Sequence, residues 1–456
     1  MVTLEQLKTG LLVGIKRLDL SCGLTQFPRE IFDLADSLEI LNLSGNRLSS
    51  LPVDLPRLHK LRIIFCSDNL FTELPTVLGQ CTSLTMVGFK ANQINRVPDA
   101  ALAPTLRWLI LTDNRIQSLP GSIGQCKQMQ KLMLAGNQLS NLPAELANCS
   151  QLELLRLSAN QFSVLPPCLL TMPSLAWLAI AGNPLTDSFE AAKQVPSIAE
   201  IDWQHIELGV KLGEGASGVI SKAKLRQADA SSQEVAVKLF KSEVTSDGMP
   251  RCEMAASIAV GLHPHIVGVL GKISDHPYDT MGLSMGLVMP LISSDFINLA
   301  QPPSLDSCTR DIYTQKTVFS LQELCSLARG VAQAVAHLHS CGILHGDLYA
   351  HNILYNAEGH GLLGDFGAAS FLPTNDIASA QSLQRIEVRA FGILLGELLE
   401  LCSETCPVRE GAEHPSRSKL VALQQRCTQA DLFKRPLFVD VVRILSSYME
   451  VASSAS

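Results

Sequence analysis

The sequence predicts a multidomain chain: a solenoid of short stacked strands, followed by a compact domain of different texture. Three observations carry this. Asparagine recurs at Asn46, Asn69, Asn92, Asn114, Asn137, Asn160 and Asn183, in steps of 23, 23, 22, 23, 23 and 23 residues. The recurrence stops after Asn183, and an unrelated pattern begins at Trp203. The chain has 456 residues, and at roughly 150 residues per domain that length asks for two or three domains.

Composition narrows the class. Hydrophobic residues make up 46% and charged residues 17%, below the roughly 25% charged of an average soluble protein, which excludes a disordered, highly solvated chain. The net charge is −7 and no basic run occurs, so no nucleic-acid partner is expected. No apolar run of about 18 residues is present, so no membrane span is expected. Met1 to Gly10 carries Glu5 and lacks an apolar core with a cleavage site, so it does not read as a signal peptide. The 13 cysteines show no C-x-x-C pair and no Cys/His ligand spacing, which argues against zinc. Cys81, Cys126 and Cys149 share a repeat phase with Leu58, Ala103 and Met172. They read as rungs of an apolar ladder, in a reducing cytoplasm.

Each repeat is legible in order. Leu38 to Pro52 reads L-x-x-L-x-L-x-x-N-x-L-x-x-L-P. The proline recurs at Pro52, Pro75, Pro98, Pro120, Pro143 and Pro166. A version one residue shorter ends at Pro28, with Cys22 in the asparagine place. One short strand per repeat cannot bury its own face, so neighbours must stack into a continuous core. The asparagine side chain suits the turn because it can satisfy buried backbone groups. The proline marks where the chain leaves for the outer side.

This pattern resembles the leucine-rich repeat family over about residues 15 to 185. The resemblance implies an α/β leucine-rich-repeat solenoid, a horseshoe, with terminal caps over residues 1–200. On such a horseshoe two rows line the concave face. One holds Ile40, Ile63, Met86, Trp108, Lys131, Leu154 and Trp177. The other holds Asn42, Phe65, Gly88, Ile110, Met133, Arg156 and Ala179. A soluble protein does not leave Ile63, Phe65, Met86, Trp108, Ile110, Met133 and Trp177 bare in one patch. The expectation is a face that binds a protein partner, a substrate or the chain's own second domain. The alternative is a shallow face that covers itself.

Residues 186 to 202 read as a cap and linker, with a helix-like stretch from Ser188 to Val195 and then Pro196. Next comes a glycine-rich loop, Gly213-Glu214-Gly215-Ala216-Ser217-Gly218-Val219-Ile220. Taken alone it fits a dinucleotide fingerprint or an ordinary turn equally. Residues further along the chain decide between them. Lys238 closes the strand-like run Val235-Ala236-Val237-Lys238. His345-Gly346-Asp347 opens a loop ending at Asn352, and Asp365-Phe366-Gly367 lies 18 residues after Asp347.

Together these resemble the eukaryotic-type protein kinase family, and imply a bilobal α+β protein kinase fold over residues 201–452. The whole arrangement resembles bacterial leucine-rich-repeat kinases. The resemblance implies ATP and Mg²⁺, with the nucleotide against Gly213, Glu214, Gly215, Ala216, Ser217, Gly218, Ile220, Ala236, Lys238, Met289 and Ile292. Glycines let backbone amides close over phosphates without a Cβ in the way. Lys238 is expected to neutralise phosphate charge, with Glu253 holding it. Asp347 is expected to orient the acceptor hydroxyl and take its proton. Asn352 and Asp365 are expected to hold Mg²⁺. Leu287 to Ile292 resembles the adenine hinge, with Met289 as gatekeeper and the backbone of Pro290 and Ile292 facing the base. Residues 293 to 318 read as an insertion. Leu324, Leu327, Ala328, Val331, Val335 and Leu338 follow helical spacing and read as core. Cys427, Arg435 and Pro436 fit a late C-x(7)-R-P pattern.

The chain departs from the kinase pattern at Gly346, at Tyr349 together with His351, and in the segment after Asp365. The arginine of the catalytic loop, which receives a phosphorylated activation segment, is Gly346 here. The lysine two residues after the catalytic aspartate, which meets the γ-phosphate in serine/threonine kinases, is Tyr349. The arginine four residues after it, a mark of tyrosine kinases, is His351. No A-P-E stands between Asp365 and Glu387-Val388-Arg389-Ala390-Phe391-Gly392, a run that resembles a helix start 22 positions on. The leading expectation is an ATP/Mg²⁺-dependent protein kinase of serine/threonine type. A nucleotide-binding pseudokinase scaffold and a small-molecule phosphotransferase stay open beside it.

Overall fold

A computed structural model describes residues 3–191, 198–215, 217–227, 231–241, 244–277, 286–373, 375–403 and 415–453. The chain divides into two compact units, Met1–Leu175 with Asn183–Leu185, and Ala176–Gly182 with Thr186–Ser456.

The first unit opens with α1 (Leu4–Lys8), started by a capping box between Thr3 and Gln6. Strands of three residues then recur at the repeat period: β1 (Arg17–Asp19), β2 (Ile40–Asn42), β3 (Ile63–Phe65), β4 (Met86–Gly88), β5 (Trp108–Ile110), β6 (Lys131–Met133) and β7 (Leu154–Arg156). They pair in parallel and in chain order, each residue beside its counterpart one repeat on. A further three-residue strand, β8 (Trp177–Ala179), belongs to the second unit. Pro28, Pro75, Pro98, Pro120, Pro143 and Pro166 each cap a short 3₁₀ turn on the return path.

The asparagine ladder forms as expected. Asn137 Nδ2 donates to the carbonyls of Leu111 (2.9 Å) and Leu134 (3.0 Å), and its Oδ1 accepts from the Ile116 amide at 3.0 Å. Asn46, Asn114 and Asn160 repeat this set. Replacing Asn137 with alanine strands three buried backbone groups and is expected to cost about 3 kcal/mol, read by denaturant unfolding. The cysteine rungs are buried, as are Leu58, Ala103 and Met172 in the same phase. Burial pushes the Cys81 and Cys126 thiols up to about 11 and Cys149 to about 12, so they pack and do not react.

The concave row needs correction. Ile63, Met86 and Trp177 are each 1% exposed, so they are not part of a bare patch. Phe65, Trp108, Ile110 and Met133 are half-buried. Ile63 stands beside Met86 in register, and Met86 beside Trp108. Phe65 leans across the space left by Gly88, towards Ile110. Trp108 Nε1 donates to Met133 Sδ at 3.4 Å, and the Lys131 ammonium lies 4.4 Å from the Trp108 ring centroid.

The second unit takes in β8 and, from Thr186 onward, α2 (Pro184–Ala191). The helix expected from Ser188 thus starts earlier, at Pro184, while Val195 and Pro196 lie outside the described residues. Its strands are β9 (Ala199–Asp202), β10 (Ile206–Glu214), β11 (Gly218–Arg226), β12 (Ser232–Phe240), β13 (Gly271–Ser274) and β14 (Gly286–Pro290), with α3 (Pro250–Val260) between β12 and β13. They form one sheet in the order β10-β11-β12-β14-β13-β9. β9, a linker by sequence, adds to the edge in parallel with β13. Gly271 permits this, since a Cβ there would sit 2.8 Å from the Ala199 carbonyl oxygen. Ile206, Ala223, Val235, Val237, Ile273 and Val288 form the core of this sheet.

A helical part follows. β15 (Ile297–Asn298) pairs with β17 (Ile353–Tyr355), which pairs with β18 (Gly361–Leu363), and β16 (Ile343–Leu344) pairs with β19 (Ser370–Phe371). The helices are α4 (Leu321–Ser340), α5 (Ile377–Glu400), α6 (Pro415–Cys427) and α7 (Phe438–Ser453). In α4 the six residues at helical spacing are all buried. A capping box between Ser320 and Glu323 starts that helix. α5 corrects the sequence reading. It starts at Ile377, not at Glu387, because the Asp376 side chain caps it through the Ser379 amide at 3.0 Å. No described helix is long and apolar enough to cross a membrane.

Four histidines stack in pairs in this unit. His263 and His337 lie 4.8 Å apart between ring centroids, and His265 and His360 lie 4.5 Å apart. Burial first, then the neighbouring His337 and His265, hold His263 down at about 4 against its usual 6.5. The unfolded chain therefore takes the proton more readily, and stability falls as pH drops from about 6.5 towards 4. His263→Gln is expected to flatten that fall, read as the difference between variant and wild-type unfolding midpoints across the window.

Candidate active site

The site is assembled by β10 to β12, α3 and the loops around β16 to β19. The glycine-rich turn joins β10 to β11, and the Gly215 amide donates to the Gly218 carbonyl at 2.9 Å. A Cβ at Gly213 or Gly215 would meet nothing within 4 Å, so the backbone there borders open space. Glu214 is spent on Lys211 and Lys241, whose hydrogen bonds hold its carboxyl down at about 2. Ala216 lies outside the described residues. Ser217 follows it, and the Lys241 amide donates to its carbonyl at 3.0 Å.

Lys238 sits on β12 opposite Ile220 and Leu287. Its ammonium pairs with Glu253 of α3. Both are buried, at 9% and 4% exposed. Burial pushes the Glu253 carboxyl upward, Lys238 pulls it back, and the Asp365 carboxylate adds to the rise. The pair is therefore within electrostatic reach of Asp365. A Cβ at Gly367 would lie 3.1 Å from Asp365 Oδ1 and 3.9 Å from Glu253 Oε2. Ala236 is buried, opposite Met289. Met289 packs against the cluster of Ile258, Val269 and Leu287. Ile292 lies two residues past the end of β14 and is half-buried.

The loop from His345 to Asn352 is tied at nearly every position. His345 is fully buried and its Nε2 lies 2.9 Å from the Gly364 carbonyl oxygen. Asn352 Nδ2 donates to Asp347 twice, to its carbonyl and to its Oδ2, each at 2.9 Å. That fixes the Asp347 carboxylate and leaves Asn352 Oδ1 as the amide's acceptor oxygen. Asp365 adopts φ 53°, a left-handed backbone that Asp tolerates better than most residues, and its Oδ1 accepts from the Gly367 amide at 3.1 Å. The structure thus brings together Lys238, Glu253 and Asp365 on one side, and Asp347 with Asn352 on the other end of the same loop pair. The Gly364 amide donates to the Asn352 carbonyl at 2.9 Å, linking the two.

Three residues hold this loop although the sequence alone does not assign them that part. Glu387, mid-way along α5, is 2% exposed and accepts from the Gly346 amide (2.6 Å), the His345 amide (3.3 Å) and His339 Nε2 (2.8 Å). Its burial alone would raise its pKa, but His339, then His345 and the Gly346 amide, outweigh that and lower it. Asp311, inside the stretch read as an irregular insertion, accepts from the Ala350 amide at 2.6 Å and faces His351 Nδ1 at 2.7 Å. Burial lowers the His351 pKa and the Asp311 contact raises it, with a net rise. Trp177 stacks flat on Tyr349, with ring centroids 4.1 Å apart and planes 6° apart. Glu387 stands in a motif-like run, but no local signal ties the other two to the loop.

The oxygens of Asn352 and Asp365 suit Mg²⁺, which binds through one or two carboxylates and completes its shell with phosphates and water. No cluster of three or more His, Cys, Asp or Glu able to hold a metal occurs among the described residues. Comparison with known proteins agrees with the fold. The model of the protein kinase domain matches residues 206–384, and leucine rich repeat models match residues 104–162 and 37–58. Fibroblast growth factor receptor 1 of Pleurodeles waltl is 25% identical over 299 residues, covering 56% of this chain and 36% of the receptor. Angiopoietin-1 receptor of Danio rerio is 23% identical over 285 residues, covering 55% and 25%. Serine/threonine-protein kinase TNNI3K of Mus musculus is 28% identical over 188 residues, covering 40% and 20%. The chain spans 20% to 36% of the length of these relatives.

Proposed function

We propose that this chain, which carries leucine-rich repeats and a protein kinase domain, transfers the γ-phosphate of ATP to a protein hydroxyl. The observation that carries the reading is the buried Lys238–Glu253 pair within reach of Asp365, together with an Asp347 carboxylate fixed by Asn352. Asp347 orients the acceptor hydroxyl and takes its proton. Lys238, aligned by Glu253, balances phosphate charge. Asn352 and Asp365 would hold Mg²⁺, which would supply neutralisation of phosphate charge. The remaining residues position Asp347 and the nucleotide, which is most of what phosphoryl transfer needs.

Serine or threonine is the proposed acceptor, supported by the relative named as a serine/threonine-protein kinase. The repeats are proposed to take a protein partner on the half-buried Phe65, Trp108, Ile110 and Met133. Buried free thiols support a reducing cytoplasm. The second reading, a nucleotide-binding scaffold, is favoured by one observation: Tyr349 puts a buried ring, 4% exposed, where a lysine for the γ-phosphate is expected. Incubation with radiolabelled ATP, Mg²⁺ and a generic protein acceptor tests the proposal, with phosphoamino-acid analysis of the product. Label on serine or threonine is expected. Nucleotide binding without label would overturn it in favour of the scaffold.

A further inference from the structure

We propose that Trp177 is a positioning residue for the Asp347 loop, and that it holds this loop in working geometry without any phosphorylated activation segment. The inference rests on the kinase reading above. Trp177 and Leu178 belong to the second unit, although in sequence they form the strand of the last repeat.

Three observations converge. Trp177 Nε1 donates to the Leu348 carbonyl at 2.9 Å, and the Trp177 ring lies flat on Tyr349. Trp177, Leu348 and Tyr349 are 1%, 1% and 4% exposed, so both contacts are dry. Gly346 has φ +76°, and a Cβ there would lie 2.7 Å from the Leu178 carbonyl oxygen and 2.6 Å from that of Ala368. The place where an arginine side chain would leave the loop is therefore filled by the backbone of Ala368 and of this strand. No residue with a side chain fits there without displacing it.

The consequence is a loop gripped from three directions. Glu387 takes the amides of His345 and Gly346. Asp311 takes the amide of Ala350 and faces His351. Trp177 takes Leu348 and Tyr349, the two residues directly after Asp347. Only residues 372–376 separate the end of β19 at Phe371 from the start of α5 at Ile377, so the chain between them is short. Tyr349 and Gly346, departures when judged as catalytic residues, fit as the two positions that receive Trp177 and Leu178.

The test uses the full chain and the variants Trp177→Ala, Trp177→Phe, Tyr349→Ala and the Trp177→Ala/Tyr349→Ala pair. Amide hydrogen exchange over residues 345–352 is read beside kcat and KM for ATP. Trp177→Ala is expected to speed exchange at 348–352 by about tenfold and lower kcat by about tenfold or more, with KM within about threefold. Trp177→Phe keeps the ring stack and is expected to recover kcat to within about threefold of wild type. The pair is expected to be no worse than Trp177→Ala alone, because both remove one contact. Unchanged exchange in Trp177→Ala would overturn the proposal. So would a Phe variant as poor as Ala, a joint loss of kcat and ATP affinity, or a rise in transfer, which would make the strand a cover. A wild type that transfers no phosphate would overturn the kinase reading alone, since the exchange arm still decides the loop.

Discussion

Asp347→Ala is expected to lower phosphate transfer by about a thousandfold, within the range that a positioned proton acceptor supplies. The loss should fall on kcat. The Lys238–Glu253 pair lies elsewhere in the site, so ATP affinity should stay within about threefold. Asn352 is the sensitive neighbour, because its Nδ2 donates to Asp347 Oδ2 at 2.9 Å and would lose that partner. Asp347→Asn separates charge from shape. It keeps the volume but offers no carboxylate, so transfer should fall almost as far as in the alanine variant. Steady-state rates with a protein acceptor and calorimetric ATP titration on the same preparations check both statements.

Glu387→Ala is expected to give the largest stability loss of any single change in the second unit. It removes the common acceptor of His345 N, Gly346 N and His339 Nε2 in a position 2% exposed. Breaking a buried charged hydrogen-bond set costs about 3–5 kcal/mol. Denaturant unfolding followed by far-ultraviolet dichroism reads this as a lower midpoint. The pH dependence has a definite sign. The folded pKa of Glu387 is lowered from its usual 4.5, so its contribution is present above that value and is lost as pH falls through the folded pKa. The alanine variant should therefore lose less stability on acidification than wild type does.

Periodicity makes the first unit legible almost residue by residue. A 23-residue step fixes which side chains recur on one rung, and the asparagine and cysteine ladders form where the step puts them. Periodicity does not carry how far neighbouring side chains lean. Ile63 and Met86 are buried, and Phe65 crosses the gap at Gly88, which depends on neighbours a repeat away. In the second unit the residues proposed to carry the chemistry are picked out by type and spacing, because the proposed task constrains both tightly. Their supports are not. Asp311 sits in a polar stretch with no period, and it becomes informative only once folding puts it against Ala350 and His351. The start of α5 leaves little mark, because Asp376 caps a helix whose first turns carry no strong apolar pattern. Repeat phase makes Trp177 one more concave-face residue, and phase is blind to Tyr349, distant in sequence.

The most direct test is γ-phosphate transfer from Mg-ATP by wild type and Asp365→Ala, with nucleotide binding measured in the same samples. Wild type is expected to label serine or threonine, and the variant to transfer at least about a hundredfold less. Wild type that binds ATP yet labels no acceptor and no residue of its own above the level of Asp365→Ala would contradict the kinase reading.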